Sequence, residues 1–165
     1  MEIDGIEITK LKELGKSKRK DFENLVPKIK RQNNKVLDNL INEKHEGLFQ
    51  KIDCLNCANC CKTTSPLLYQ TDINRIAKYL NEKPSNIFKQ YVEMDEDGDF
   101  VFKSTPCPFL NSDNVCSIYE ARPKACREYP HTQQRKQKSI INISLENSSI
   151  CPAVFRIFEY LEEVL

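Results

Sequence analysis

Apolar residues recur along this chain at the spacing of one helix face. Phe22, Leu25, Val26 and Ile29 stand at i, i+3, i+4 and i+7, which predicts an amphipathic helix. Pro27 falls inside that pattern, so a kink or a late helix start is expected there. Val36, Leu37, Leu40, Ile41 and Leu48 carry a second helical stripe. Ile73, Ile76, Ala77 and Leu80 give a third, with Thr71 or Asp72 as its N-cap. The run "KPSNIFKQYVEM" predicts a short helix opening at Pro84 or Ser85. At the far end "PAVFRIFEYLEEVL" places Pro152 at the first helical position, with Val154, Phe158, Leu161 and Leu165 on one stripe and Ile157 and Val164 beside it.

The pattern changes in between. An Asp97-Gly98 turn precedes a predicted strand at Phe100 to Lys103. Asp95, Asp97 and Asp99 resemble a calcium loop, but the Gly is misplaced and the closing Glu is missing, so a polar hairpin turn is expected. "SIINISL" at 139–145 reads as a strand, because Ile140, Ile141, Ile143 and Leu145 are β-formers. Pro123 suits the first turn of a short helix running through Arg127. The expected fold is mainly α with a small β element, a compact metal-stabilised single domain wrapped around a cysteine cluster. Its expected organisation is an N-terminal helical, Lys-rich extension over 1–49, then a cysteine-cluster domain with a C-terminal helix over 50–165.

Charge narrows the function classes. The 165 residues carry a net charge of +1, which builds no global field for nucleic acid or an anionic membrane. "KSKRK" at 16–20 lacks aromatic interleaving and reads first as a solvated helix face, so nucleic acid is disfavoured as a partner. No apolar run reaches the roughly 20 residues that a membrane span needs. The first twenty residues show no apolar region behind their basic residues, as a secretory signal would. A cytoplasmic location without membrane contact is expected, and a protein is the expected partner. No P-loop, G-x-G-x-x-G or Ser-His-Asp arrangement is present.

Eight cysteines then carry the chemistry: Cys54, Cys57, Cys60, Cys61, Cys107, Cys116, Cys126 and Cys151. In a reducing compartment clustered thiols bind metal more often than they pair as disulfides. C-x2-C-x2-C at Cys54, Cys57 and Cys60 lets the chain curl so that sulfurs converge. Zinc takes thiolates at about 2.3 Å in a tetrahedron, and Fe–S clusters use similar loops with a further Cys followed by Pro. Cys107-Pro108 and Cys151-Pro152 both supply that remote pair. Thiolate-only ligation suits either metal, so the expected cofactor is an Fe–S cluster or zinc, with the cluster slightly favoured. Lys62, Arg122, Lys124 and Arg127 lie near these cysteines in sequence and could offset thiolate charge. His45 follows a helical stripe and reads as a core or surface histidine rather than a ligand. His131, close to Cys126, is a candidate group behind the ligands or a proton donor.

"CLNCANCC", "TDINRIAKYL" and "CPFLNSDNVCSIYEARPKACREYP" together resemble the zinc- or iron-chelating cysteine-cluster family named for its CxxCxxCC motif. The resemblance runs from about residue 50 to 152. It implies that all eight cysteines are metal ligands. Members have been described as candidate Fe–S oxidoreductases, and a similar cluster occurs in flagellin lysine methylases, so oxidoreductase chemistry or modification of a protein substrate is an alternative to electron transfer or partner maturation. A structural zinc module for protein or nucleic-acid interaction is a further alternative. Within "IYEARP", Ile118 and Tyr119 are expected to pack under the site while Arg122 reaches a sulfur, a carboxylate or a backbone carbonyl.

Overall fold

The computed structural model describes residues 2–165. Along the chain come a hairpin of β1 (Glu2–Ile3) and β2 (Ile6–Glu7), then helices α1 (Leu11–Arg31) and α2 (Asn34–Phe49). Two one-turn helices follow, α3 (Cys54–Cys57) and α4 (Asn59–Thr63), then α5 (Gln70–Tyr79) and α6 (Pro84–Tyr91). A second hairpin of β3 (Val92–Met94) and β4 (Phe100–Phe102) precedes α7 (Lys124–Glu128), α8 (Ile141–Asn147) and α9 (Pro152–Val164). The protein is thus mainly helical with a small β element, as the periodicity predicts. The chain divides into two units. One takes the chain up to Cys57 together with Pro130–Leu165; the other is Ala58–Tyr129.

In the first unit α1, α2 and α9 turn their apolar stripes inward. Phe22, Leu25 and Ile29 of α1, Leu37 and Ile41 of α2, and Val154, Phe158 and Leu161 of α9 are all buried. The Phe22 ring meets Phe155 edge-on at 5.5 Å and Phe158 at 5.1 Å between centroids. Each buried ring stabilises the unit by about 1.5–3 kcal/mol. Asn33 caps α2 by accepting the Lys35 N–H at 2.9 Å. Pro152 opens α9 at its first position, where a missing N–H costs nothing.

Several local expectations are corrected here. Helix α1 begins at Leu11, well before Pro27, and runs through it, so there is no late start. Packing of the stripe on both sides of Pro27 outweighs the bond that the proline removes. Residues 139–145 are not a strand: a 3-10 turn over Gln137–Ile140 leads into α8. Ile141, Ser144 and Leu145 are buried while Ile143 is 56% exposed, a helical spacing that overrides β-propensity. Unforeseen is the hairpin at the start. Asp4 and Gly5 take φ of 48° and 76°, the two positive values a tight β-turn requires, and "IDGI" carried that signal. The Arg156 guanidinium of α9 donates to the Asp4 carbonyl and holds the turn down.

The second unit is built on α5, α6 and the β3–β4 hairpin. Antiparallel pairs run Val92 to Phe102, Glu93 to Val101 and Met94 to Phe100, closed by a turn in which Gly98 adopts φ 85°. Leu68, Ile73, Ile76, Ile87, Phe102, Phe109 and Ile118 form the core, and Cys107 and Cys116 pack against it. The N-cap of α5 is Tyr69, not Thr71 or Asp72. Asp72 sits one turn in, and its carboxylate accepts the Tyr69 N–H at 3.0 Å.

Candidate metal centre

The cysteine run begins in the first unit and ends in the second. In α3 Cys54 and Cys57 stand three residues apart on one helix face. The Asp53 carboxylate fixes that turn, accepting from the Leu55 N–H and the Asn56 side-chain amide, each at 2.9 Å. Ala58 then takes a left-handed conformation, φ 47°, which ends one helical turn before α4 starts the next. Cys60 and Cys61 lie in α4 with their sulfurs 3.9 Å apart. No disulfide joins any of the eight cysteines.

Three thiols sit in turns whose amides point at sulfur. The Cys107 sulfur accepts from the N–H groups of Phe109 and Leu110, and that of Cys116 from Ile118. The Cys151 sulfur accepts from Val154 and Ala153. In both Cys-Pro pairs the proline supplies no N–H, and the amides two and three positions after the cysteine turn inward instead. Hydrogen bonds of this kind stabilise thiolate over thiol, as ligand duty demands. The loop from Cys107 to Cys116 is closed by an antiparallel bridge between Leu110 and Cys116 and by Ser117 N–H donating to the Phe109 carbonyl at 2.8 Å. Cys107 N–H also donates to the Cys61 carbonyl at 2.8 Å, which ties the end of the cysteine run to this loop.

Cys126 is placed by an ion pair between a buried carboxylate and a half-buried guanidinium that sequence reasoning missed. Asp72 is 1% exposed and accepts from Arg75 and from the Lys124 N–H that starts α7. Arg75 in turn donates to the carbonyls of Ala121 and Arg122. The "ARPK" segment is thereby clamped onto α5. A carboxylate and a guanidinium at i, i+3 within "TDINR" were the visible sign, though nothing local named their target.

The thiols act on one another in two sets. Burial pushes Cys126 up to about 12, with repulsion from Cys61, Cys107 and Cys116 adding to it. Burial likewise lifts Cys107 to about 11 and raises Cys116, and Cys61 bears on both. In the first unit burial drives Cys151 to about 12, and the charges it meets are those of Cys54 and Cys57. Cys61 moves the other way, to about 7. Its hydrogen bond with Cys60 is the main cause, helped against burial by the charges of Arg122 and Lys62. Among the described residues no three Cys, His, Asp or Glu side chains form a ready-placed cation site. Closing four sulfurs to the roughly 3.8 Å edges of a zinc tetrahedron brings like charges together, and a cation is what offsets them. A donor set of thiols alone, with amides aimed at sulfur, fits zinc and iron alike.

The remaining candidates are also placed. His45 is buried, stacked on Phe49 at 4.2 Å, with Nδ1 2.6 Å from the Thr132 hydroxyl; it is a core histidine, as expected. His131 has φ 67° and its Nδ1 lies 2.9 Å from the Gln134 side-chain amide. Ile118 is buried in the core. Tyr119 is 40% exposed rather than packed beneath the site, and Arg122 stacks over its ring at 3.4 Å. Arg122 reaches a backbone carbonyl, that of Tyr119, at 2.8 Å.

Turns that present sulfurs alongside inward amides mark a cysteine-rich metal-chelating domain. Residues 53–151 match the CxxCxxCC family, described as "Putative zinc- or iron-chelating domain", and the chain belongs to that family. An uncharacterized protein of Methanocaldococcus jannaschii is 31% identical over 84 residues, a stretch that makes up 49% of this chain and 45% of that protein. The chain therefore matches less than half the length of that relative. No solved structure matches the chain. Among the described residues no helix is long and apolar enough to cross a membrane.

Proposed function

We propose that the protein holds zinc or iron through Cys54, Cys57, Cys60, Cys61, Cys107, Cys116, Cys126 and Cys151, with an Fe–S cluster as the favoured form. The observation that carries this reading is the pairing of clustered thiols with backbone amides aimed at their sulfurs. The C-x2-C-x2-C run and the two Cys-Pro pairs support iron in particular. A bound cluster would supply one-electron chemistry. The chain's own part is to hold thiolates, shield them by burial and donate hydrogen bonds that tune them. Electron transfer, redox sensing or maturation of a protein partner are the roles that suit such a centre.

Elemental analysis with a visible absorption spectrum, on protein purified without oxygen, tests both levels of the reading. Brown protein containing iron and acid-labile sulfide, bleached by reductant, is the expected result. Colourless protein with zinc overturns the cluster and keeps chelation. Protein with neither metal, which also fails to take up either on reconstitution, overturns chelation itself.

A further inference from the structure

The run "CLNCANCC" is continuous in sequence but divided in the fold. Cys54 and Cys57 close the first segment of one unit, whose second segment contains Cys151. Cys61 belongs to the other unit together with Cys107, Cys116 and Cys126. Three independent features gather those last four. The Cys107 N–H donates to the Cys61 carbonyl at 2.8 Å. The Leu110–Cys116 bridge folds the 107–116 loop on itself, so that both of its thiols pack against one core. The Asp72–Arg75 clamp grips the Lys124 N–H, fixing the start of the helix that bears Cys126.

We infer that Cys61, Cys107, Cys116 and Cys126 form one closed four-thiolate metal site lying wholly within Ala58–Tyr129, and that Cys54, Cys57 and Cys151 belong to a separate centre. This rests on the reading that the protein chelates metal by its thiols, and adds which thiols share an ion. The occupant of the closed site is a single thiophilic divalent cation of the zinc class. Loading exchanges the thiol protons, which leave to solvent, for the ion, so four thiolates and a divalent cation leave net charge 2−. Lys62 and Arg122, whose charges act on Cys61, offset it. Four protein sulfurs fill a tetrahedron, so this site has no position for water or substrate and its role is to hold the fold. Any chemistry belongs to the other centre. The division falls inside the motif, with Cys61 facing forward along the chain and Cys54 and Cys57 facing back, and Cys60, its sulfur 3.9 Å from that of Cys61, stands beside the closed site as a neighbour rather than a fifth ligand.

The test is a cobalt(II) titration of the reduced, metal-free full-length chain without oxygen, read by sulfur-to-cobalt charge-transfer and d–d bands. Thiol alkylation mapped by mass spectrometry is read alongside. In the unaltered chain, alkylation at Cys61, Cys107, Cys116 and Cys126 should fall together, equally at every cobalt loading. C57S should keep the four-thiolate spectrum and the protection of those four cysteines, while C116S should lose both. Protection of Cys61 that follows Cys54 and Cys57 and departs from Cys116 overturns the division, as does loss of the four-thiolate spectrum in C57S with helix content intact. The footprint of the unaltered chain decides the matter where a variant fails to fold. Absence of any cobalt bands or thiol protection in the unaltered chain is a different failure, because it removes chelation itself.

Discussion

Asp72 shows how much one buried carboxylate can organise. Burial works to raise its pKa, but the Tyr69 N–H, the Arg75 guanidinium and the Lys124 N–H outweigh that and hold it below the ordinary carboxylate value. A group lowered in the folded state contributes stability above its unfolded pKa of about 3.9 and loses it as pH falls through the folded value. Asp72→Ala strands Arg75 and two amides, and should cost about 2–4 kcal/mol in urea unfolding at neutral pH. A loss under 0.5 kcal/mol would show that the clamp is ornamental. His45 has the opposite charge sense. Burial pushes its pKa down, slightly opposed by Glu46. Its contribution is therefore complete above the unfolded value of about 6.5 and is lost as pH drops below that. Stability should decline between pH 7 and 5, and the decline should be shallower in His45→Gln; equal slopes would refute the assignment. The sequence read His45 as a core or surface histidine rather than a ligand because its stripe is local, and the structure places it in the core. Asp72 was read as a cap because its distant partner, the Lys124 N–H, and the Arg122 carbonyl that holds its neighbour Arg75 lie some fifty residues away and no local pattern names them.

Among the elements, α1 carries two residues that oppose its own helix propensity, with opposite consequences. Gly15 lets the helix approach Ser149 closely: a Cβ there would stand 2.6 Å from the Ser149 Cβ and 2.7 Å from its Cα. Alanine gains roughly 1 kcal/mol as a helix former, yet the overlap involves backbone that cannot swing aside. Gly15→Ala should therefore destabilise, by about 1–3 kcal/mol. Pro27 is exposed within the same helix and denies one backbone hydrogen bond. Pro27→Ala should stabilise by about 1–2 kcal/mol, and thermal melts of the two variants should move in opposite directions. Helices with long stripes, α1, α2, α5 and α9, were legible because 3.6-residue periodicity is strong over ten or more positions. Residues 139–145 misled because a seven-residue stretch with three isoleucines fits a strand and a buried helix equally, and only tertiary burial separates them.

At the scale of the whole molecule, the helical class and the eight thiols could be read from the chain, whereas the division into units could not. Spacing says that cysteines converge; it does not say which ones, since that depends on how stretches far apart in sequence fold together. Metal should be coupled to folding throughout. Stripping the loaded protein with a chelator under reducing conditions should lower its melting temperature by roughly 10 °C or more. Acidification should do the same, since protons compete for the sulfurs. An unchanged melting curve would show that the ion is a passenger. The unit made of two separated segments also has a consequence in time. Helices α1 and α2 are finished at Phe49, but their partner α9 starts at Pro152. At ~5–20 residues per second, the ribosome needs about 5–20 seconds to deliver it. The contiguous stretch Ala58–Tyr129 emerges complete within that interval. The newborn chain thus settles its middle first and keeps the apolar faces of its oldest helices waiting for its youngest.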